Sequence, residues 1–409
     1  MRSTSVAAAT LTETVRYAIS LLAGACMSAS AALAEDTGSG PDPLRFGSGD
    51  RYVMFAPFVQ FEIGHADADP DDFLDGIDDT RVQYRRARLY TDFKFDRFGG
   101  EFTFDLATDP DPTVVYGYLN YAVTDELTLQ VGQQKALFSL QDLTSARPAL
   151  FNEDSQSSAL QPGGYLGVAT VGATALYGAR NWSVSAGVFG TDVNVEPFGQ
   201  GTSVMGRATY GPVLTDDAAV HLGLSLVGTF DPEPALSFAG DPGLDLFSDV
   251  STISTGDFTA VESYEAANLE LAASVGRFTL ESEYTLATLD DREKGSPFLH
   301  GAYVGLLAFL TDDHRTYDGS TGTFDKVEPK APAGPDGFGA LEVGGRLDYL
   351  DLSDAGPDAG TEIAGTGILN WYLTEKLRVS LSHTYTAVMD GPDDGADFNA
   401  SLLRFWFTY

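Results

Sequence analysis

The sequence predicts an all-β fold, a transmembrane antiparallel β-barrel of about 16 strands. Three observations support this class of fold. After Gly40, segments of about ten residues alternate apolar and polar side chains and then break at turn residues. The connections between these segments alternate between short and long. The 409 residues include 18 Tyr, 26 Phe and 44 Gly, a composition that suits many short strands joined by glycine turns.

The alternation is clearest in residues 86–95. One face of this segment carries small, apolar or aromatic side chains, and the other carries mainly charged ones. The first face comprises Ala87, Leu89, Thr91, Phe93 and Phe95, and the second comprises Arg86, Arg88, Tyr90, Asp92 and Lys94. Residues 101–106 repeat the pattern. Each segment therefore predicts a strand with one face toward lipid and one toward water.

The connections predict two different rims. The short ones are residues 96–99, 124–126, 178–181, 276–277 and 374–376, and the longer, acidic ones are 66–81, 191–202, 231–263, 290–297, 353–360 and 390–398. Short turns on one rim and long loops on the other are typical of outer-membrane barrels, so much of the acidic charge is expected on exposed loops. Residues 311–337 are long yet fall on the short-turn rim. They are either an unusual turn or contain a further pair of strands.

The N-terminus is predicted to be a signal peptide, residues 1–34. Arg2 and Arg16 supply positive charge, a mostly small and apolar stretch follows, and residues 32–34 have the small-x-small form of a cleavage site. Residues 35–50 are then a short N-terminal periplasmic segment and residues 51–409 the barrel.

The chain has one cysteine, Cys26, and it lies in the predicted leader. A mature chain would therefore have no disulfide. A lipoprotein signal at Cys26 is an alternative, although the residues before it make a poor lipobox.

The chain ends in a strand rich in aromatic residues, 403–409. Such a strand is expected to be recognised by the barrel-assembly machinery and to close the sheet, so that no edge faces lipid. The alternative is an ordinary hydrophobic edge strand.

Charge and motifs exclude several functions. A formal net charge of -35 argues against nucleic acid as a partner, because two polyanions repel. The histidines show no His-Glu-x-x-His spacing, and no Gly-x-Ser-x-Gly elbow or phosphate-binding P-loop is present. Residues 67–72 resemble half of a calcium loop but lack its glycine and terminal glutamate. We therefore predict no enzyme, catalytic residue, metal site or cofactor.

Several stretches together resemble the phosphate-selective porin O/P family. They are residues 85–89 with 102–105, residues 131–147, and residues 309–317 with 327–329, 339–342, 346–352 and 370–373. The resemblance implies a trimeric 16-stranded channel of the bacterial outer membrane whose third long loop folds into the lumen. Here that loop would be residues 135–164, and the alternative is a disordered surface loop.

Six basic residues form a predicted cluster: they face the lumen, lie on the constriction loop or, in the case of Arg85, lie next to the others. They are Arg85, Arg86, Arg88, Lys94, Lys135 and Arg147. Arginine in a confined passage attracts oxyanions, because its guanidinium matches phosphate oxygens in a two-pronged way. By the resemblance, Arg85, Arg86 and Lys135 are the best candidates for an anion-binding constriction. The alternative is that the cations only balance luminal acids such as Asp92, Glu101 and Asp105. No succession of arginines along the route is visible in the sequence.

The leading hypothesis is an outer-membrane porin for passive diffusion of small hydrophilic solutes, with a preference for anions such as phosphate or polyphosphate. Its expected partners are outer-membrane lipid and lipopolysaccharide, small anionic or neutral solutes, and two further copies in a homotrimer. A non-conducting structural or adhesive barrel, and a soluble all-β secreted protein, are the alternatives.

Overall fold

The computed structural model describes residues 44–70, 73–108, 112–163, 167, 169–190, 192–194, 201–232, 235–240 and 242–409. The predicted signal peptide, residues 1–34, lies outside the described residues, as does most of the predicted periplasmic segment. Within the described part of the chain, no helix is both long and apolar enough to cross a membrane.

Nineteen strands, one short α-helix and four short 3-10 helices make up the described fold. The strands are β1 (Arg45–Ser48), β2 (Arg51–Asp69), β3 (Asp78–Phe95), β4 (Phe98–Asp105), β5 (Thr113–Ala122), β6 (Leu127–Gln134), β7 (Thr170–Ala179), β8 (Trp182–Phe189), β9 (Thr202–Leu214), β10 (Ala218–Phe230), β11 (Val261–Val275), β12 (Phe278–Asp291), β13 (Phe298–Phe309), β14 (Tyr317–Asp318), β15 (Thr323–Phe324), β16 (Ala340–Asp351), β17 (Thr361–Tyr372), β18 (Leu377–Asp390) and β19 (Asp397–Thr408). The α-helix is α1 (Leu140–Leu143), and the 3-10 helices are Phe73–Gly76, Gln156–Leu160, Asp245–Phe247 and Ser353–Ala355.

Sixteen of these strands form one closed antiparallel barrel, which confirms the predicted fold class. Strands β2 to β13 and β16 to β19 pair in chain order, and β19 pairs with β2 from Asp397↔Asp69 to Thr408↔Phe58. Strand β1 lies in the predicted periplasmic segment and pairs with the first four residues of β2. Strands β1 and β19 therefore lie on the same edge of β2, where β1 pairs with residues 51–54 and β19 with residues 58–69.

The barrel wall is apolar outside and polar inside. In β10, Leu222, Leu224 and Leu226 are 40–51% exposed on the outer surface, whereas His221 and Ser225, at alternate positions of the strand, are almost fully buried within the barrel. A soluble protein shows the opposite distribution, with apolar side chains inside and polar ones outside. The alternation at every second residue is that of a strand between lipid and a polar lumen. Aromatic pairs lie near the short turns, including Phe98 with Tyr121, whose ring centroids are 4.8 Å apart.

The connection between β13 and β16 is an exception to the short-turn rim. Its only strands, β14 and β15, have two residues each and form a hairpin that is not part of the barrel. The hairpin folds inward, because Arg207 of β9 donates from Nη1 to the carbonyl oxygen of Thr321 at 3.1 Å and from Nη2 to that of Gly322 at 2.8 Å. The Tyr317 hydroxyl lies 2.5 Å from Nδ1 of His221 on β10. The segment therefore contains a further pair of strands, one of the two possibilities that the sequence left open, but this pair lies outside the barrel and narrows the lumen from the short-turn side.

The connection between β10 and β11 also enters the barrel. We expected an exposed acidic loop here, but Phe238, Phe247 and Phe258 are at most 1% exposed and belong to one large apolar cluster. Asp245 and Asp249 of this loop reach β3, where they pair with arginines at 3.2 Å and 2.5 Å. The apolar side chains between the acids explain the inward fold, because they lose their contact with water.

Candidate functional site

A β-bulge in β3 turns two consecutive arginines into the lumen. Strand β3 pairs with β2 through Gln60↔Arg86 and then Phe61↔Tyr84, so Arg85 has no partner in the register. The extra residue shifts the inside–outside alternation by one position. Arg85 therefore shares the inner face with Arg86 and Arg88, whereas simple alternation would place Arg85 outside.

These arginines line a cavity of about 790 Å³ between the barrel wall and the constriction loop. Lys135, at the start of the loop, lines the same cavity. The other lining groups are mixed: the aromatic side chains include Tyr90, Tyr116, Tyr118 and Trp406, and the acids are Glu101, Asp142, Glu153, Asp154 and Glu281. The cavity thus offers cations at β3 and carboxylates on the loop and on other strands.

The cations differ in how far the protein neutralises them. Arg88 is ion-paired with Asp105, Nε to Oδ2, at 2.8 Å. Arg85 pairs with Asp245 at 3.2 Å and lies 3.9 Å from Glu153. Arg86 donates from Nη1 to Oε1 of Gln60 at 2.8 Å, and its Nε has no hydrogen-bond partner. Among the described residues, no carboxylate is within ion-pair distance of Arg86, so its charge remains available to a solute.

The remaining predicted cations lie in different places. Lys135 donates from Nζ to the carbonyl oxygen of Asp142, within the loop itself. The Arg147 guanidinium lies 4.5 Å from the ring centroid of Tyr90 and is not part of the cavity lining, although Tyr90 is. Lys94 pairs with Asp50 at 2.8 Å beside the β1–β2 turn. It therefore stands at the short-turn rim, apart from the cavity that Arg85, Arg86 and Arg88 line.

The alternative reading, that cations merely balance luminal acids, holds for part of the group. Asp105 pairs with Arg88 as that reading expects. Glu101 instead accepts hydrogen bonds from Thr103 at 2.5 Å and Tyr118 at 3.1 Å.

Two carboxyl groups of the constriction loop have shifted pKa values. Burial raises the pKa of Asp142 to about 6, although Lys135 opposes the shift. Burial also disfavours ionisation of Glu153, but Arg404, Arg85 and Arg86 outweigh it and hold the pKa of Glu153 below its usual range. Glu153 therefore stays charged at neutral pH, whereas Asp142 titrates near it.

The loop is seated on the wall opposite β3 by Glu283 of β12. This carboxylate accepts hydrogen bonds from the backbone N–H groups of Leu140 at 3.2 Å and Gln141 at 2.8 Å, and from the hydroxyl of Ser139 at 3.2 Å. These donors belong to the N-terminus of α1, whose first N–H groups have no partner within the helix. The prediction of an inward-folded loop in residues 135–164 is thus matched by its described part, residues 135–163.

The structure also shows a set of arginines that sequence reasoning missed. Arg346, Arg378 and Arg404 come from β16, β18 and β19, and Arg315 from the inward connection before β16; each is at most 6% exposed. They are far apart in sequence and meet only because the register aligns neighbouring strands. The alternation in each strand was the available signal, since Arg404 shares its face with Leu402 and Trp406.

A closed 16-stranded barrel with an inward loop and a charged cavity defines a class of protein, the porins of the bacterial outer membrane. Residues 59–409 match the family described as phosphate-selective porin O and P. The chain belongs to this family, which confirms the resemblance and the prediction of a channel protein rather than an enzyme. A protein of Caulobacter vibrioides described as uncharacterized is 28% identical over 361 residues, covering 83% of this chain and 69% of that protein.

Solved porin structures share the fold. OprB of Pseudomonas putida superposes with a TM-score of 0.58 and 11% identity, covering 87% of this chain and 94% of OprB. OmpT of Vibrio cholerae gives 0.54 and 13%, covering 89% and 100%. An anion-selective porin from Comamonas acidovorans gives 0.54 and 10%, covering 87% and 99%. At these identities the likeness shows the architecture alone.

Proposed function

We propose that this porin conducts small hydrophilic solutes by passive diffusion and prefers anions. The observation that carries the proposal is Arg86, a luminal guanidinium with no carboxylate partner among the described residues, placed beside Arg85 in the same cavity. A cation that the protein leaves unneutralised attracts an oxyanion, and its two-pronged geometry suits phosphate or carboxylate.

The neighbouring cations single out Arg86. Arg85 pairs with Asp245, Arg88 is neutralised by Asp105 and Lys135 is held by a backbone carbonyl. The fold likeness to an anion-selective porin is consistent with this preference. Phosphate and polyphosphate are the solutes that the family's description suggests.

The assembly and the export route belong to the same proposal. A trimer form of Vibrio cholerae OmpT superposes with a TM-score of 0.54, which supports a homotrimer here. Lipid and lipopolysaccharide contact the apolar outer wall, and the signal peptide of residues 1–34 directs the chain across the inner membrane. Strand β19 presents the aromatic terminus to the assembly machinery.

Replacement of Arg86 tests the selectivity. One charge about 8 Å away, at an effective dielectric constant of about 20, contributes roughly 2 kcal/mol, and salt reduces this value. We therefore expect Arg86→Gln to lower the permeability ratio of anions over cations severalfold. The ratio is measured from reversal potentials in planar bilayers under a salt gradient, with chloride and then phosphate as the anion.

Arg97 supplies a matched control. It lies in the exposed β3–β4 turn and donates to the carbonyl oxygen of Val123 at 3.0 Å, so Arg97→Gln removes one positive charge outside the cavity. This variant should keep the native reversal potential. A cation preference in the native protein, or equal shifts in both variants, would reject the proposal.

A non-conducting barrel is the second candidate, and one observation favours it. Three segments enter the lumen: the constriction loop, the β10–β11 connection and the β14–β15 hairpin. Single-channel recording separates the candidates, since a plugged barrel would give no unitary current steps in any salt.

A further inference from the structure

Residues 148–154 of the constriction loop have seven backbone carbonyl oxygens. All but one of these oxygens accept a hydrogen bond from a side chain of the barrel or of its inward connection. Six are held: Arg315 Nη1 to Pro148 at 2.9 Å, Arg378 Nη1 to Ala149 at 2.8 Å, Asn370 Nδ2 to Leu150 at 3.1 Å, Arg404 Nη1 to Asn152, Arg346 Nη1 to Glu153 at 2.8 Å and Arg346 Nη2 to Asp154 at 2.9 Å. We call these five donor residues the carbonyl clamp.

The clamp draws one residue from each of four adjacent strands. Arg346, Asn370, Arg378 and Arg404 lie on β16, β17, β18 and β19, in that order. Their strands pair directly, through Glu342↔Asn370, Asn370↔Ser380 and Ser380↔Arg404. Arg315 adds a donor from the connection that precedes β16. The donors thus follow the loop along the curve of the wall.

The clamp satisfies a specific physical need. A loop without regular structure that runs through a closed space carries carbonyl groups that water cannot reach, and each unpaired group costs about 1–3 kcal/mol. Guanidinium donors are charge-assisted, and one guanidinium can hold two oxygens in its plane. Arg346 does this with two consecutive carbonyls.

Partners within the protein occupy the other donors of most of these arginines. Arg315 pairs with Glu342 at 2.8 Å, Arg346 with Asp348 at 2.8 Å, and Arg404 with both Glu62 and Glu153. Arg378 is different, because Nη2 donates to Oδ1 of Asn370 at 2.7 Å and no carboxylate among the described residues pairs with it. These guanidiniums therefore hold the loop, and three of them are also neutralised by carboxylates; Arg378 differs from Arg86 in that its bonds go to the loop backbone and to Asn370.

We infer that the carbonyl clamp is the positioning element of the constriction, and that it sets selectivity by fixing where the loop presents Glu153 to Arg85. Glu153 bridges Arg404 of the clamp and Arg85 of the cavity. A loop released from the wall would carry this carboxylate away from Arg85 and change the charge that a solute meets. The inference rests on the proposed function only where conduction is measured.

Arg378 is the residue to change, because its loss leaves no buried carboxylate unpaired. Arg378→Lys keeps the charge but cannot reproduce the planar pair of bonds to Ala149 and Asn370, and Arg378→Gln removes both. A spin label at the exposed loop position, through Asp154→Cys in a Cys26→Ala background, reports loop mobility in purified protein. Heat-modifiable gel mobility verifies that each barrel has closed.

Loss of one charge-assisted bond should raise the detached population of the loop by about tenfold or more. We expect a new mobile component in the spectra of both Arg378 variants, together with a larger spread of open-channel current. Arg97→Gln is the control and should show neither change. If Arg378→Lys keeps the native spectrum, charge alone matters and the clamp is overturned.

A second variant covers a failure to fold. Asn370→Leu removes the donor to the Leu150 carbonyl and keeps the side chains of all four clamp arginines, although Arg378 loses its contact with Oδ1 and Glu342 loses one donor. Loop mobility should again rise, and an unchanged spectrum would overturn the inference. Because the spectra do not require current, a barrel that fails to conduct would reject the proposed function and leave this test intact.

Discussion

At the scale of the residue, hydrogen-bond partners decide which luminal cations can act on a solute. Arg86 and Arg88 have the same chemistry and both face the lumen, yet Arg88 has Asp105 at 2.8 Å and Arg86 has only the amide of Gln60. The first pair is a neutral unit, whereas the second leaves a net charge. Lys94 is neutralised in the same way by Asp50 at the rim.

We expect Asp142 to make the proposed anion preference depend on pH. Burial raises its pKa to about 6, so as the pH falls through that value the cavity loses one negative charge beside Lys135. Anion preference should therefore increase on acidification. The folded state binds this proton more tightly than the unfolded chain, so the same shift lowers stability as the pH rises from the usual range of an aspartate to about 6.

Reversal potentials measured on both sides of this pH test the prediction. Asp142→Asn should show the acidic selectivity at neutral pH and lose the titration step. Glu153, whose pKa is held below its usual range by nearby arginines, adds no step in this window. A native titration that persists in Asp142→Asn would assign the effect to another group.

At the scale of the element, local backbone irregularities place the site. The bulge at Arg85 brings two arginines to one face, and β6 ends at Gln134 where the constriction loop begins. Gly132 of β6 has a φ of +130°, and a Cβ there would lie 2.3 Å from the carbonyl oxygen of Gly117. The close approach of β5 and β6 therefore requires glycine at this position.

Gly132→Ala should lower the free energy of unfolding by about 2 kcal/mol or more, because it adds both backbone strain and a clash. Urea titration of protein refolded into lipid vesicles measures this change. Gly117→Ala on the facing strand is the matched control, since its Cβ would meet only ordinary contacts at 3.5–3.8 Å. Equal stability of the two variants would contradict the account.

At the scale of the whole molecule, closure of the sheet holds the wall together. Strand β19 pairs with both β18 and β2, so it satisfies two edges that would otherwise face lipid. Strand β1 adds only four pairs to β2 and takes no part in the closure. The C-terminal strand β19 therefore closes the barrel, whereas the N-terminal strand β1 does not.

Deletion of residues 397–409 should abolish the heat-modifiable folded band after refolding in detergent micelles, because two open edges remain. Deletion of residues 44–48 should leave that band intact. Refolding without cellular machinery separates closure itself from recognition of the aromatic terminus. A folded, conducting product from the first deletion would show that closure does not require β19.

Much of the wall was predictable, and much of the lumen was not. The alternation in residues 86–95 identified the two faces of β3, and the spacing of turns identified the two rims. The acidic composition of the loop between β10 and β11 predicts an exposed loop, yet its phenylalanines pack inside. Composition does not reveal whether a loop folds into the lumen or extends into solvent.

By itself, the sequence determined the barrel, its lipid-facing surface and most of the basic cluster, because a strand between lipid and water shows a period of two that needs no partner. The inward loop was predicted from the family resemblance. Only the tertiary structure decided which cations stay free and which hold the loop. Arg346, Arg378 and Arg404 meet one backbone segment because strand register and closure bring distant residues together. Register depends on the paired strands together, so no single stretch of sequence contains it.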